Sequence, residues 1–243
     1  MPIESQGFPQ YGKRQVIDAA TSAEIDVGLR RYMLKVYNFM AAGLGVTGLV
    51  ALLAIETGFY QRIAGTPVMW LVMLAPFAAV LFLSFRIQKM SLGAAQATFW
   101  TYAALMGLSL AGIFLVFTGI SVARVFFISA ATFAAMSLYG YTTRRDLSRL
   151  GSFLMMGVIG IVLAGLVNIF IGSTALQFAI SAIGVVLFTG LTAYDTQRIK
   201  EIYLGNDDVE TQDKKALMGA LTLYLDFINL FVMLLNLTGD RRQ

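Results

Sequence analysis

The chain contains no cysteine and no histidine among its 243 residues. The first absence excludes disulfides, thiolate nucleophiles and haem attachment. The second removes the side chain that ordinarily changes charge near neutral pH. It also excludes metalloproteases built on His-Glu-x-x-His. Any response to pH near neutrality therefore falls to carboxylates. Charge is scarce as well: 13% of the residues are Asp, Glu, Lys or Arg, against about 25% in a soluble domain. The acidic loop of Asp207, Asp208, Glu210 and Asp213 lacks an EF-hand pattern and reads as solvated.

What the chain has instead is apolar sequence, 58% of it. Runs long enough to cross a bilayer recur along almost the whole length. Seven spans are predicted, at about 33–55, 68–87, 94–117, 122–141, 151–171, 176–199 and 216–237. Breakers separate them, among them Gly65-Thr66-Pro67, Thr118-Gly119 and Gly172-Ser173-Thr174. The expected fold is therefore an all-α polytopic membrane protein. Residues 1–30 read as a polar, disordered cytoplasmic tail, 31–238 as the transmembrane domain and 239–243 as a short C-terminal tail. The N-terminal stretch shows no apolar core followed by a small-residue cleavage site, so no cleaved signal peptide is expected.

Charge bias orients the spans. Of 18 Lys and Arg, only Arg62, Arg124, Arg241 and Arg242 fall on the outer side when the N-terminus is inside. The positive-inside rule then places the N-terminus in the cytoplasm and the C-terminus outside. Basic residues beside anionic headgroups account for the net charge of +4 without any nucleic acid.

Two aspartates break the apolar pattern. Asp195 lies in Leu-Thr-Ala-Tyr-Asp-Thr-Gln and Asp226 in Leu-Tyr-Leu-Asp-Phe-Ile-Asn. An aspartate at the centre of a spanning helix costs roughly 2.5–3.5 kcal/mol on insertion scales, and its presence there is by default a functional signal. In the seventh span Lys215, Gly219, Thr222, Asp226, Asn229, Met233 and Asn236 follow one another by steps of three and four, so they share one helical face. A polar stripe must face other helices or water, which makes this helix central. Asn229 and Asn236 are equally explained as hydrogen-bonding glue between helices. A weaker stripe in the sixth span holds Ser181, Gly184, Phe188, Thr192 and Asp195. There Arg198, three residues on, offers an ordinary ion pair at a helix end.

The two spans are consecutive and antiparallel. Asp226 is about 10 residues, or roughly 15 Å, from the cytoplasmic end of its expected helix. The carboxylates meet only if Asp195 lies deeper than its boundary suggests or the mouth is a wide cavity. If they meet, two close carboxylates in a dry site share one proton. Protonated, the pair pins two helices together; deprotonated, it repels itself and offers hard oxygens to a cation such as Ca²⁺. Arg86, where the second span ends, reads either as a snorkelling anchor or as a cation that pairs with one aspartate. Whether Arg86 or Arg198 partners Asp195 is open at this level.

The stretch Gly190-Leu191-Thr192-Ala193-Tyr194-Asp195-Thr196-Gln197-Arg198-Ile199-Lys200 resembles the signature of the Bax inhibitor-1 family, also called the transmembrane Bax inhibitor motif or lifeguard family. Leu223-Tyr224-Leu225-Asp226-Phe227-Ile228-Asn229-Leu230-Phe231 is similar to its last-helix motif, and similarity extends over roughly residues 30–237. The N-terminus is similar to the bacterial branch. The resemblance implies seven helices with the last one central, surrounded by the other six. It implies an aspartate pair, Asp195 and Asp226, sensing pH for a calcium leak, and an arginine at the position of Arg86 that engages the pair. The acidic residue that some relatives carry in the second helix has no counterpart between Met69 and Phe85.

The resulting expectation is a pH-sensitive calcium leak channel or slow transporter in the bacterial inner membrane. It is not an enzyme, and it has no cofactor beyond calcium as transported or bound ion. The supporting polar face is Thr192, Arg198, Thr222 and Asn229. Its partners are the lipid bilayer and Ca²⁺. The alternative is a non-enzymatic modulator of a membrane-anchored AAA protease, docking through the N-terminal tail. An intramembrane aspartyl protease is a third reading, but Tyr224-Leu225-Asp226 replaces the Gly-x-Gly-Asp it requires. A retinal protein would need a lysine in the middle of 216–237, and there is none.

Overall fold

Inside a bilayer a backbone has no water to bond, so an apolar run satisfies its N–H and C=O groups by closing them within a helix. The computed structural model describes residues 10–242, with side chains from residue 27. Its helices are α1 (Gln10–Glu56), α2 (Phe59–Ile63), α3 (Pro67–Arg86), α4 (Leu92–Leu110), α5 (Ile113–Val116), α6 (Gly119–Thr142), α7 (Ser148–Ile171), α8 (Thr174–Ile202) and α9 (Val209–Thr238). Among the described residues seven segments are long and apolar enough to cross a membrane, one for each predicted span.

The ends are built by local chemistry. Pro67 opens α3, where its missing N–H has no role. Ser91, Thr118, Ser173 and Asp208 each accept a backbone N–H of the first turn that follows. Gly172, at φ 67°, closes α7 in the left-handed conformation that a side chain would disfavour.

Burial identifies the centre. In the last span 61% of the apolar window is buried, against 17–33% in the other six. α9 packs chiefly against α1, α4, α6 and α8, while α3 leans on α4 and α7 on α8. Around α9, Phe99 and Tyr102 of α4 meet Tyr224 edge-on, and Phe126 and Phe133 of α6 meet Phe227 the same way. The outer faces present Trp70, Phe85, Ile120 and Phe170, as lipid-facing helices do. Glycine permits the tightest approach, between α6 and α8: a Cβ on Gly140 would run into the Ala193 backbone carbonyl.

Four expectations change. Residues 10–30, expected in a disordered tail, form the leading part of α1, and residues 1–9 lie outside the described residues. Ala19, Ala20, Ala23 and Glu24 are good helix formers and no proline follows Pro9 in this stretch, so the helix continues outward from the span. The third span is interrupted between α4 and α5, where Ala111 N–H bonds back only three residues, to Leu108. The C-terminal tail is docked: Arg241 bridges to Phe117, Asp240 accepts from Thr118 N–H, and Arg124 pairs with the Asp240 carboxylate at 2.9 Å. The acidic loop is anchored as well as solvated: Asp208 and Glu210 are exposed, while Asp207 and Asp213 are half-buried. Asp213 pairs with Lys35, Asp207 with Lys215 and Glu210 with Lys214.

Asp208 is the cap of α9. The Thr211 hydroxyl and then the Thr211 backbone N–H hold its carboxyl below the usual carboxylate range. A carboxylate lowered on folding stabilises above its unfolded value and loses that effect as pH falls through the folded one. Asp208→Ala is therefore expected to lower the thermal midpoint in detergent at pH 7. The gap to the parent should close in acid, below the carboxylate range; a gap unchanged in acid would remove charge from the capping account. Gly140→Leu is expected to prevent folding or lower the midpoint sharply, because the clashing atom is backbone and cannot rotate away.

Candidate functional site

The register of α8 against α9 decides whether the two aspartates meet. Both helices continue past their expected limits, α8 to Ile202 and α9 back to Val209. Falling hydropathy marks the membrane edge, and Arg198, Lys200 and Glu201 remain helical beyond it. Lys215 Nζ reaches the Ile202 carbonyl. A Cβ on Gly219 would touch Ile199, and one on Gly184 would touch Met233. In this antiparallel register Asp226 sits about one turn from the position facing Asp195, and because helical side chains lean toward their own N-termini the two carboxyls converge across that turn. Their carboxyl groups lie within hydrogen-bonding reach of each other. The depth mismatch disappears because Asp195 sits two turns inside the true end of α8.

Both side chains are buried, Asp195 at 8% exposure and Asp226 at 5%. Their surroundings differ. Asp195 lines a cavity of about 360 Å³ together with Arg198, Thr222, Lys214 and Lys215, whereas Asp226 does not reach it. Asp226 Oδ2 is fully buried with no hydrogen-bond partner among the described residues. An isolated carboxylate oxygen there is costly. The opposed carboxyl is the group positioned to offset that cost, by sharing one proton. Among the described residues no three His, Cys, Asp or Glu cluster as a metal site. Two carboxylates fall short of the six to eight oxygens that a resident Ca²⁺ takes.

A family model described as "Inhibitor of apoptosis-promoting Bax1" matches residues 29–243, both aspartate motifs included. The chain belongs to the Bax inhibitor-1 family. Among its relatives, the Rickettsia prowazekii protein RP147 is 50% identical over 90% of this chain and 93% of its own length. The Escherichia coli inner membrane protein YbhL is 47% identical over 88% of this chain and 94% of its own. A Streptococcus pyogenes membrane protein is 34% identical over 91% and 98%.

The other candidate residues of this Bax inhibitor-1 family member divide. Thr222 and Arg198 line the cavity beside Asp195. Arg198 is exposed and forms no ion pair with Asp195. Thr192 and Thr222 donate to the carbonyls of Phe188 and Met218, four residues back on their own helices. Asn229 and Asn236 do likewise to Leu225 and Val232, rather than bonding across helices as glue would require. Arg86 is exposed at the end of α3, outside the cavity and without a hydrogen bond to either aspartate. The residues beside it, Ile87 and Gln88, line the cavity in its place.

Two residues of the family motif had no role assigned from sequence. Thr196 Oγ1 bonds Ser137 Oγ at 2.9 Å, and Ser137 bonds Tyr37 OH at 2.7 Å, a chain of hydroxyls joining α8, α6 and α1. Gln197 accepts from Leu147 N–H and donates to the Arg145 carbonyl, clamping α8 to the α6–α7 connection. Consecutive positions on a helix point about 100° apart, so Asp195, Thr196 and Gln197 serve three different neighbours. Their signal was present: polar residues directly after an acid inside an apolar run. A second anchor holds α9, where Tyr224 OH bonds Thr47 Oγ1 at 2.6 Å.

Thr196→Val and Tyr37→Phe are each expected to lower stability by about 0.5–1.5 kcal/mol, read as thermal midpoint in detergent. The double variant should lose less than the two losses combined, since either change already breaks the chain. Strict additivity would show that the hydroxyls act separately.

Proposed function

We propose that this protein is a pH-sensitive leak pathway for calcium or similar cations, non-enzymatic and seated in the bacterial inner membrane with its basic end in the cytoplasm. Asp195 and Asp226 form its gate. The observation that carries the reading is the facing of two buried carboxyls of which one, Asp195, reaches a polar cavity while the other is sealed in the core. Protons from the cavity reach Asp195 first and Asp226 through it.

With one proton shared, the pair is a single hydrogen-bonded link between α8 and the central helix. When the proton leaves, two like charges in a poorly screened site repel each other. The α8–α9 contact then loosens, water enters, and the carboxylate oxygens become stepping stones for a hard cation. The pair is too small a ligand set to trap Ca²⁺, which suits passage better than storage. Lys214 and Lys215 at the mouth are partly neutralised by Glu210 and Asp207, so the entrance is less repulsive to cations than its lysines alone imply. The membrane description of the Escherichia coli relative supports the location.

Calcium entry into proteoliposomes carrying the purified protein is expected to rise as pH on the basic side goes from 6 to 8. Asp195→Asn and Asp226→Asn should each flatten that profile, because an amide cannot ionise and the charge repulsion is gone. Arg198→Gln should shift the profile without flattening it. Parent-like pH profiles in both aspartate variants would refute the gate.

A further inference from the structure

α1 and α6 both pack on α9 and touch one another only sparsely. Between them runs a groove of about 1,390 Å³, from Arg30 at the basic end of the bundle to Arg242 at the opposite end. Its floor is α9, through Phe227, Ile228 and Phe231, the helix that carries Asp226. Gly45 and Gly48 on one wall face open space, since a Cβ on either would meet nothing within 4 Å. Ala130 and Ala134 line the other wall. The hydroxyl contact of Tyr37 with Ser137 joins the two walls near the basic end.

We propose that this groove is a binding site for an anionic phospholipid of the leaflet at the basic end, with its acyl chain along the α9 floor and its phosphate at Arg30. Two observations select this occupant. The groove opens sideways on a chain built to span a membrane, so bilayer components reach it and water has few partners within it. The groove's charge at the basic end is cationic, from Arg30, whereas at the opposite end the acidic Glu56 lines it as well as Arg242; Lys200 Nζ lies 5.7 Å from the ring of the lining residue Tyr141. Basic pockets between spanning helices on that side hold anionic headgroups. Because the floor is α9, the bound chain touches the back of the helix whose front carries Asp226, and the Tyr37–Ser137–Thr196 hydroxyls connect the wall to the residue after Asp195.

The test is native mass spectrometry of the full chain, delipidated in mild detergent, with phosphatidylglycerol or phosphatidylcholine of matched acyl chains added back. The parent is expected to retain one phosphatidylglycerol per chain and to prefer it about fivefold. The Gly45→Phe/Gly48→Phe double variant fills open space and improves helix propensity. It should keep the parent's circular dichroism and thermal midpoint while losing the lipid. Arg30→Gln should retain lipid without headgroup preference. Retention of lipid by the filled variant, absence of headgroup preference in the parent, or a dimer in place of the lipid-bound monomer would each overturn the proposal. The readout is a mass, independent of ion flux, so failure of the gate reading leaves it unaffected.

Discussion

The contact between α8 and α9 is the constraint on which the rest of the structure depends. Small residues at Gly184 and Gly219 let the two helices approach along their length, and the register they impose sets Asp195 against Asp226. Neither carboxylate is comfortable alone in a buried apolar setting. Opposed, they can hold one proton as a shared link. Sealing that link from bulk water requires α9 to be wrapped on its other sides, which is why the last helix in the chain is the most buried.

The neighbours of the pair are fixed unequally. α8 is tied to α6 and to the α6–α7 connection by Thr196, Gln197 and Lys200. α9 is tied to α1 by Lys35 with Asp213 and by Thr47 with Tyr224. Between α1 and α6 the packing lapses into an apolar groove. The groove runs beside α9, on the side away from its extensive contact with α8.

Much of the arrangement is legible in the residues. Seven apolar runs, their breakers and the polar stripe of the last span lead directly to a helical bundle around a central α9. The aspartates are visible because charge is so rare in these runs. Less legible are features that depend on partners distant in sequence. Asn229 looks like interhelical glue until its amide is seen bonding Leu225 on its own helix. Arg86 has the right charge and approximate depth, yet its side chain is exposed and Ile87 and Gln88 line the cavity instead. Helix ends lie beyond the hydropathy limits where polar residues continue a helix past the membrane edge, as at Ile202 and Val209.

The sequence by itself determined that this chain crosses a membrane seven times, that its last helix has a polar face to hide, and that carboxylates must carry any titration near neutrality. Those conclusions follow from hydropathy, periodicity and the absence of histidine, which are local or compositional properties. Only the tertiary structure decided that Asp195 and Asp226 face each other, that one touches a cavity and the other does not, and that Thr196 and Gln197 hold α8 in place. Those depend on the register and separation of helices. An apolar pattern requires that a face be covered; the close fit of glycine against a neighbouring helix determines what covers it.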